Sequence, residues 1–257
     1  MHIQEFINRF TNYPVLFVGT GMSLRYLEES YTWDGLLYAI SYEIYGREET
    51  YYDIKSRHAL QNGQFNYQGI AEELEGKFNA FCMEKNTGKL KRANEIFYEN
   101  MKKDKPLSRF KIYISLLLEN YTEKESMQNE IAELIKVRKN IGSVITTNYD
   151  TFIEKTFDFN SLIGNNILLS NPYGSVYKIH GCINDAENII ITRKDYEKFD
   201  KKYELIRAQL LSLFIHNPII FLGYGIGDTN IKKILSTILT YINPNTHEAD
   251  RIRKQFL

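Results

Sequence analysis

The 257-residue sequence lacks the features of several specialised protein classes. It has no charged leader followed by an apolar core and a cleavage site, and no run reaches the roughly 18 apolar residues of a membrane helix. Its two cysteines, Cys82 and Cys182, are far apart and lack the C-x-x-C spacing of zinc or redox motifs. We therefore expect a cytoplasmic protein that has no membrane contact, no disulfide and no metal.

The sequence also has no excess of charge of either sign, with 32 Lys and Arg against 32 Asp and Glu. A balanced chain has no overall field to attract it to a phosphate backbone. The basic segment 84–105 has acidic residues between its lysines, which is typical of a solvated helical face. We expect no binding of nucleic acid by this domain, and salt-dependent retention on DNA would contradict that expectation.

Short apolar runs alternate with helical patterns near both ends of the chain. The run "VLFVG" is apolar on both faces, as in a central parallel strand, and a helical stripe that includes Trp33 and ends at Gly46 follows it. Later strand-like runs, separated by helical patterns, are "GSVITT", "NILLS", "SVYKIHG", "NIIIT" and "PIIFLGYG". This alternation predicts an α/β fold with a Rossmann-like, doubly wound, mostly parallel sheet.

Residues 47–140 contain no buried strand pattern, and their apolar residues have helical spacing with charged outer faces. We interpret this stretch as a helical insertion in a single domain over 1–257, whose Rossmann-like core comprises about 1–46 and 141–257. The final "RIRKQFL" resembles the start of another apolar run, as expected of a domain shortened at its C-terminus.

Three of the predicted strands end in polar or glycine-rich clusters, where open α/β sheets bind ligands. The first cluster contains Gly19, Gly21 and Ser23, a turn whose backbone N–H groups could face an anion. The third glycine of a dinucleotide fingerprint is replaced by Leu24, so a purely structural turn fits the pattern equally well.

The second cluster is Thr146 to Asp150, and the third is His180 before Gly181. Each also has an interpretation without catalysis. Thr147 or Asn148 could cap the helix that follows, and a lone histidine is more often a packing or turn residue than a catalyst.

Taken in this order, the clusters resemble the sirtuin-related, SIR2-like NAD-consuming domains of the bacterial anti-phage defence type. In that family a G-A-G-x-S turn receives the pyrophosphate, a T-Q-N-x-D strand end surrounds the nicotinamide ribose, and a histidine before glycine is the catalytic base. The stretch "FLGYGIGDTNIKKIL" resembles a further segment of the bacterial branch. The resemblance covers about 15–46 and 142–242, and excludes the helical insertion.

The resemblance implies a role for each matching residue. Asn148 would hold water or a ribose hydroxyl, His180 would accept a proton, and Asp150 would contact the nicotinamide carboxamide. The residues implied to bind the substrate are Gly19, Thr20, Gly21, Ser23, Thr147, Asp150, Gly223, Tyr224, Gly225 and Asp228. Asp228 could instead cap the last helix.

The implied activity is hydrolysis of NAD+ to nicotinamide and ADP-ribose, with NAD+ as substrate, in an effector that depletes NAD+ during abortive infection. The four-cysteine zinc module of the protein-deacylating sirtuins is missing and Thr147 replaces their glutamine, which argues against protein deacylation. A non-catalytic module that senses NAD+ or ADP-ribose, and a deacylase or ADP-ribosyltransferase, remain as alternatives. Because an uncontrolled NADase would kill its own cell, we also expect a homo-oligomer or a regulatory partner protein or domain.

Overall fold

The computed structural model describes residues 12–169, 173–202, 204–225 and 229–241, together with residues 246 and 249. A five-stranded, all-parallel sheet with the order β3-β4-β2-β1-β5 forms the centre of the fold. The strands are β1 (Val15–Val18), β2 (Ser143–Thr146), β3 (Asn160–Ile163), β4 (Ser175–Lys178) and β5 (Ile219–Leu222). This sheet and its flanking helices confirm the predicted α/β, Rossmann-like fold.

The strands end in register, which brings their following loops together. Val18 is aligned with Thr146 on one side and with Leu222 on the other, and Thr146 is aligned with Lys178. Every residue of β1, β2 and β4 is buried, because helices cover both faces of the sheet. The loops after β1, β2, β4 and β5 therefore leave the sheet at the same edge.

Helices flank the sheet, in the connections between its strands and after the last strand, β5. They are α1 (Thr20–Tyr26), α2 (Trp33–Tyr45), α8 (Phe152–Phe157), α9 (Arg193–Lys202), α10 (Glu204–His216) and α11 (Thr229–Tyr241). Helix α2 starts where the Thr32 side chain accepts a hydrogen bond from the Gly35 N–H, and it ends at Gly46, whose φ is 67°. Gly46 is therefore the left-handed C-cap that the sequence predicts.

Residues 47–140, named here the helical segment, contain five further α-helices in the described structure. These are α3 (Glu49–Arg57), α4 (Tyr67–Met83), α5 (Gly88–Met101), α6 (Arg109–Leu118) and α7 (Gln128–Val137). Helices α3 to α6 pack with α2 around a buried apolar cluster that also includes Tyr149, Ile189 and Ile191 from the sheet region. Helix α7 packs instead against the sheet, through Ile131. The helical segment is thus packed directly against the loops at the edge of the sheet.

Two predicted strands are wrong. The run "NILLS" lies mostly in a 3-10 helix, Gly164–Leu169, and the edge strand β3 precedes it. The sequence pattern fails because β3 is half-exposed and begins with polar Asn160 and Ser161, whereas the apolar Ile167 is buried without strand pairing.

The run "NIIIT" is also buried without being a strand. Ile189 and Ile191 pack into the cluster of the helical segment, and Ile190 packs with Tyr196. A continuous apolar run indicates that a segment is buried, but not whether a sheet or helices bury it. Here helices bury the run, so its length and composition do not identify a strand.

The two cysteines, Cys82 and Cys182, are buried free thiols. Within the described ranges, the structure contains no helix with the length and apolar character needed to cross a membrane.

Candidate active site

A cavity of about 640 Å³ lies at the carboxyl edge of the sheet, between the strand-end loops and the helical segment. All three polar clusters of the sequence contribute to it. The predicted site residues on its lining are Thr20, Gly21, Ser23, Thr147, Asn148, Asp150, His180, Gly223, Tyr224 and Gly225. Gly19 contacts this set through its carbonyl oxygen, and Asp228 lies outside the described residues.

The Asn148 side chain is held in one orientation by hydrogen bonds. Its Nδ2 donates to the Gly19 carbonyl oxygen and to Ser23 Oγ, each at 3.0 Å. Its backbone N–H donates at 3.0 Å to Thr146 Oγ1, which itself donates to the Val18 carbonyl oxygen at 2.9 Å. The amide nitrogen therefore faces the protein, and the amide oxygen is left for a ligand.

That amide oxygen, Asn148 Oδ1, is buried and has no hydrogen-bond partner among the residues that the structure describes. Leaving a buried acceptor unsatisfied costs about 1–3 kcal/mol. Native proteins seldom tolerate this cost away from functional sites. An unpartnered oxygen on a cavity wall is therefore a position at which a bound hydroxyl or water would be stabilised.

Asp150 links the second cluster to the first. Its Oδ2 accepts a 2.7 Å hydrogen bond from Ser23 Oγ, and its Oδ1 accepts one at 3.1 Å from the Phe152 N–H. Helix α8 is preceded by Thr151, so the possible caps Thr147 and Asn148 do not cap it. Residues 147–150 form instead a loop, in which Asn148 and Asp150 bind Ser23 of α1 and line the cavity.

The glycines of the first cluster are required by close contact between two loops. Gly21 N–H donates at 2.8 Å to the Gly223 carbonyl oxygen, and a Cβ on Gly21 would lie 2.8 Å from Gly223 Cα. A Cβ on Gly19 would lie 2.5 Å from the Gly223 carbonyl oxygen. The structural explanation of this turn is therefore correct, and the same turn also lines the cavity.

His180 lies two residues beyond β4 and is 2% exposed. Gly181 follows it with φ 90°, and a Cβ at Gly181 would lie 2.3 Å from the Asn188 carbonyl oxygen. The His180 ring packs against Tyr196, with 5.4 Å between centroids, and against Trp33 at 6.5 Å. The strand end and the glycine thus fix the backbone, while two aromatic rings confine the imidazole.

Three further residues that shape this site are not among those predicted from the sequence. Trp33 and Tyr196 line the cavity beside His180. Lys178, the last residue of β4, is 1% exposed and donates to the Asp150 carbonyl oxygen from beneath the loop. A lysine at the end of an otherwise apolar strand is a signal in the sequence that a buried polar contact is present there. The two aromatic residues had no such signal, because their contacts depend on the tertiary fold.

Lys178 is neutralised by a buried carboxylate, since its Nζ lies 2.9 Å from Glu154 Oε1. Burial opposes the charge of the lysine, but the combined attraction of Glu154, Cys182 and Asp150 outweighs burial and raises the pKa of Lys178. The Asn148 to Asp150 loop therefore rests on a buried ion pair.

The wall opposite the sheet comes from the helical segment, which the sequence did not assign to the site. The residues that line this wall are Leu60, Gln64, Phe65, Asn66, Tyr67, Gln68 and Leu118. All except Leu118 lie in a short turn before α4 or at the start of that helix, and a hydrogen bond from the Leu60 N–H to the Gln64 carbonyl oxygen at 2.8 Å closes the turn. This wall offers aromatic rings and neutral amides to a ligand.

The cavity has few charges. Its carboxylates are Glu29 and Asp150, and no Lys or Arg lines it in the described part of the chain. The hydrogen bond from the Thr122 N–H lowers the pKa of Glu29. No group of His, Cys, Asp and Glu among the described residues could hold a metal ion. A phosphate bound here would depend on backbone N–H and hydroxyl groups.

Residues 142–249 match the sequence profile of the SIR2-like domain. The NAD(+) hydrolase ThsA of Enterococcus faecium is 33% identical over 153 residues, which are 55% of this chain and 31% of that protein. Defense-associated sirtuin 2 of Bacillus subtilis is 30% identical over 53% of this chain and 14% of its own length. The NAD(+) hydrolase ThsA of Cytobacillus dafuensis is 27% identical over 69% of this chain and 35% of its own length. The chain thus spans about a third or less of these curated relatives.

Proposed function

We propose that this chain is a SIR2-like domain whose cavity binds NAD+ and hydrolyses it to nicotinamide and ADP-ribose, in agreement with the profile match of residues 142–249. The observation that carries this proposal is the fixed Asn148 amide, whose buried oxygen lacks a partner in the described structure, in the same cavity as His180. Relatives named NAD(+) hydrolase support the same reaction.

The reaction breaks the bond between nicotinamide and ribose through a transition state with oxocarbenium character. Such a reaction requires a positioned water molecule, oriented leaving and attacking groups, and stabilisation of the positive charge that develops on the ribose. Asn148 Oδ1 would accept a hydrogen bond from the water or from a ribose hydroxyl. Preorganisation favours this role, because the amide is already oriented by its two donated hydrogen bonds.

His180 would accept the proton released by the attacking water or by a ribose hydroxyl. An imidazole is suited to this step because it exchanges a proton near neutral pH. The neighbouring rings of Tyr196 and Trp33 restrict its movement, which favours a single productive orientation.

The remaining predicted residues would bind the rest of the substrate. Gly19, Thr20, Gly21 and Ser23 would line the pyrophosphate side, although the Gly19 and Gly21 N–H groups and the Ser23 hydroxyl already donate hydrogen bonds within the protein. Thr147 and Asp150 would face the nicotinamide side, although both Asp150 carboxylate oxygens already accept hydrogen bonds within the protein. The adenosine side would be lined by Gly223, Tyr224 and Gly225, with Asp228 as a prediction outside the described residues.

We also propose that the chain acts in the cytoplasm as the NAD-depleting part of an anti-phage defence protein. The names of the relatives from Enterococcus faecium and Bacillus subtilis support this role. A cell that carries such an activity needs to restrain it, so we propose control by a homo-oligomer or by a regulatory partner protein or domain. The Rossmann-like core and the helical segment would act together as one SIR2-like domain.

Nicotinamide release from NAD+ by the purified chain tests the proposal. We expect release from the wild type in equal amounts with ADP-ribose. Asn148→Ala and His180→Ala should each lower kcat by about 10²-fold or more while keeping the wild-type circular dichroism spectrum. A wild-type chain that binds NAD+ but releases no nicotinamide would favour the sensing alternative, and release that requires an acylated peptide would favour a deacylase.

A further inference from the structure

A buried ion pair connects the helical segment to the sheet region beside His180. Lys111 Nζ in α6 lies 2.6 Å from Asp195 Oδ1 in the first turn of α9. The two side chains are 11% and 13% exposed, and the residues are 84 positions apart in the sequence. Each is supplied by a different part of the fold, so the pair fixes how those parts meet.

The second oxygen of the Asp195 carboxylate orders the start of α9. It accepts hydrogen bonds from the backbone N–H groups of Ile191 and Thr192, at 3.2 and 3.0 Å, and from Thr192 Oγ1 at 2.8 Å. Burial alone would raise the pKa of Asp195, but the ammonium group of Lys111 and the Thr192 donors outweigh burial and lower it. One ionised carboxylate therefore holds both the helical segment and the first turn of α9.

The next residue in that turn, Tyr196, contacts His180. The Tyr196 hydroxyl lies 3.5 Å from His180 Nε2, and the residue is 5% exposed. The preceding stretch is also bound to the histidine, because the Ile190 N–H donates to the His180 carbonyl oxygen at 2.9 Å. A shift of the α9 turn would therefore move the ring that confines the imidazole.

The same stretch is embedded in the core of the helical segment. Ile189 and Ile191 are buried in that apolar cluster together with Tyr149, the residue between Asn148 and Asp150. Tyr149 also donates from its hydroxyl to the Ile190 carbonyl oxygen at 2.8 Å. The loops that carry the two proposed catalytic residues are thus anchored in the helical segment as well as in the sheet.

We propose that Lys111 and Asp195 are positioning residues, through which the helical segment holds Tyr196 against His180. Burying an ion pair is an expensive way to gain stability, and an apolar pair could pack as well. The charged pair fixes the orientation of α9 relative to α6. Because Tyr196 lies in α9 and contacts His180, this orientation determines the position of the imidazole. This inference rests on the proposed NAD+ hydrolysis, in which His180 transfers a proton.

A second ion pair supplies a matched control. Lys194 Nζ lies 3.4 Å from Glu72 Oε1 and also joins α9 to the helical segment, but its side chain is 73% exposed. Lys111→Met and Lys194→Met make the same chemical change in a buried and in an exposed link. If the loss of any ion pair between α9 and the helical segment were enough to displace Tyr196 from His180, both variants would lose activity to the same extent.

The first measurement separates kcat from KM for NAD+ hydrolysis. We expect Lys111→Met to lower kcat by about 10- to 100-fold with KM changed less than about threefold, because misplacement of a catalytic group affects chemistry more than binding. Lys194→Met should leave both constants within about twofold of the wild type. A folded Lys111→Met protein with wild-type kcat would overturn the proposal.

Tyr196→Phe keeps the ring, so it remains informative if Lys111→Met fails to fold. It should also lower kcat with little change in KM. If Lys111 acts through Tyr196, the double variant should lose little more activity than the more affected single variant. Losses that multiply would show that the two residues act independently and would contradict the proposal.

Trp33 allows a test that does not depend on activity. It is the sole tryptophan of the sequence, and its ring centroid lies 6.0 Å from that of Tyr196 and 6.5 Å from that of His180. We expect Lys111→Met to change the emission of Trp33 and its quenching by acrylamide, and Lys194→Met to leave both unchanged. Unchanged Trp33 emission and quenching in Lys111→Met would refute the positioning role. If the proposed NAD+ hydrolysis were wrong and the positioning role correct, the wild type would be inactive, but the two variants would still differ in Trp33 emission and quenching.

Discussion

The two walls of the cavity differ in how their residues are held. On the sheet side, hydrogen bonds of 2.7–3.0 Å fix Ser23, Asn148 and Asp150 to one another, and a buried lysine supports their loop from below. On the helical side, a short turn presents side chains such as Leu60, which is 46% exposed. Groups on the sheet side are therefore oriented before a ligand arrives, whereas the helical side mainly gives the cavity its shape.

The largest effect should come from removing the support beneath the sheet wall. Lys178→Met leaves Glu154 buried without its cation, so we expect unfolding to become easier by about 3–5 kcal/mol, measured by denaturant titration. Because the pKa of Lys178 is raised on folding, its contribution is complete below the unfolded pKa of about 10.4 and is lost as pH rises through the folded pKa. A variant as stable as the wild type at neutral pH would show that the ion pair gives no support.

The next effect concerns the backbone that carries His180. Gly181→Ala would place a Cβ against the Asn188 carbonyl oxygen in a left-handed conformation, so we expect a loss of about 2–3 kcal/mol of stability and reduced nicotinamide release. Thermal unfolding and the release assay measure the two outcomes. Equal stability of the variant would mean that the loop can move aside, and that the sheet wall is less rigid than we infer.

A smaller effect should appear at the boundary of the two walls, and it should fade in acid. Folding lowers the pKa of Asp195, so its contribution is present above the unfolded pKa of about 3.9 and is lost as pH falls through the folded pKa. Asp195→Asn should therefore be less stable than the wild type at pH 7, and the difference should shrink below pH ~4. A difference that stays constant with pH would mean that the charge of Asp195 is unimportant.

The smallest effect should be a gain of stability in the helical segment. Gly76 is an exposed residue inside α4, and a Cβ there would meet nothing within 4 Å. Gly76→Ala should raise the free energy of unfolding by about 0.5–1 kcal/mol through helix propensity, with kcat unchanged. A change in kcat would show that the helical wall is coupled to the chemistry even at its outer surface.

The sequence predicted the sheet wall better than the helical wall. Strands β1, β2, β4 and β5 were visible because buried parallel strands give continuous apolar runs, and the polar groups at their ends were visible because they interrupt those runs. The edge strand β3 was not visible, since its half-exposed residues lack such a run. The run "NIIIT" misled for the opposite reason, because its burial comes from the helical segment.

Residues that act through tertiary contacts could not be predicted from one sequence. Trp33 fits the apolar stripe of α2, and nothing in that stripe shows that His180, far along the chain, packs against it. Likewise, Lys111 and Asp195 lie in helical patterns with ordinary charges until the fold brings them together. Periodicity describes the neighbours of a residue along one helix and cannot describe contacts between distant elements.

The backbone contact between Gly21 and Gly223 also bears on how a substrate enters and how products leave. These two loops are joined without any intervening side chain, so they cannot part without losing a hydrogen bond and their close packing. The turn at residues 60–64 has exposed side chains, and its backbone hydrogen bonds, such as those from Leu60 to Gln64 and from Gly63 to Leu60, lie within the turn itself. We therefore expect the substrate to enter and the products to leave the cavity on the side of that turn. The loops that contain Gly21 and Gly223 should keep their positions during both steps.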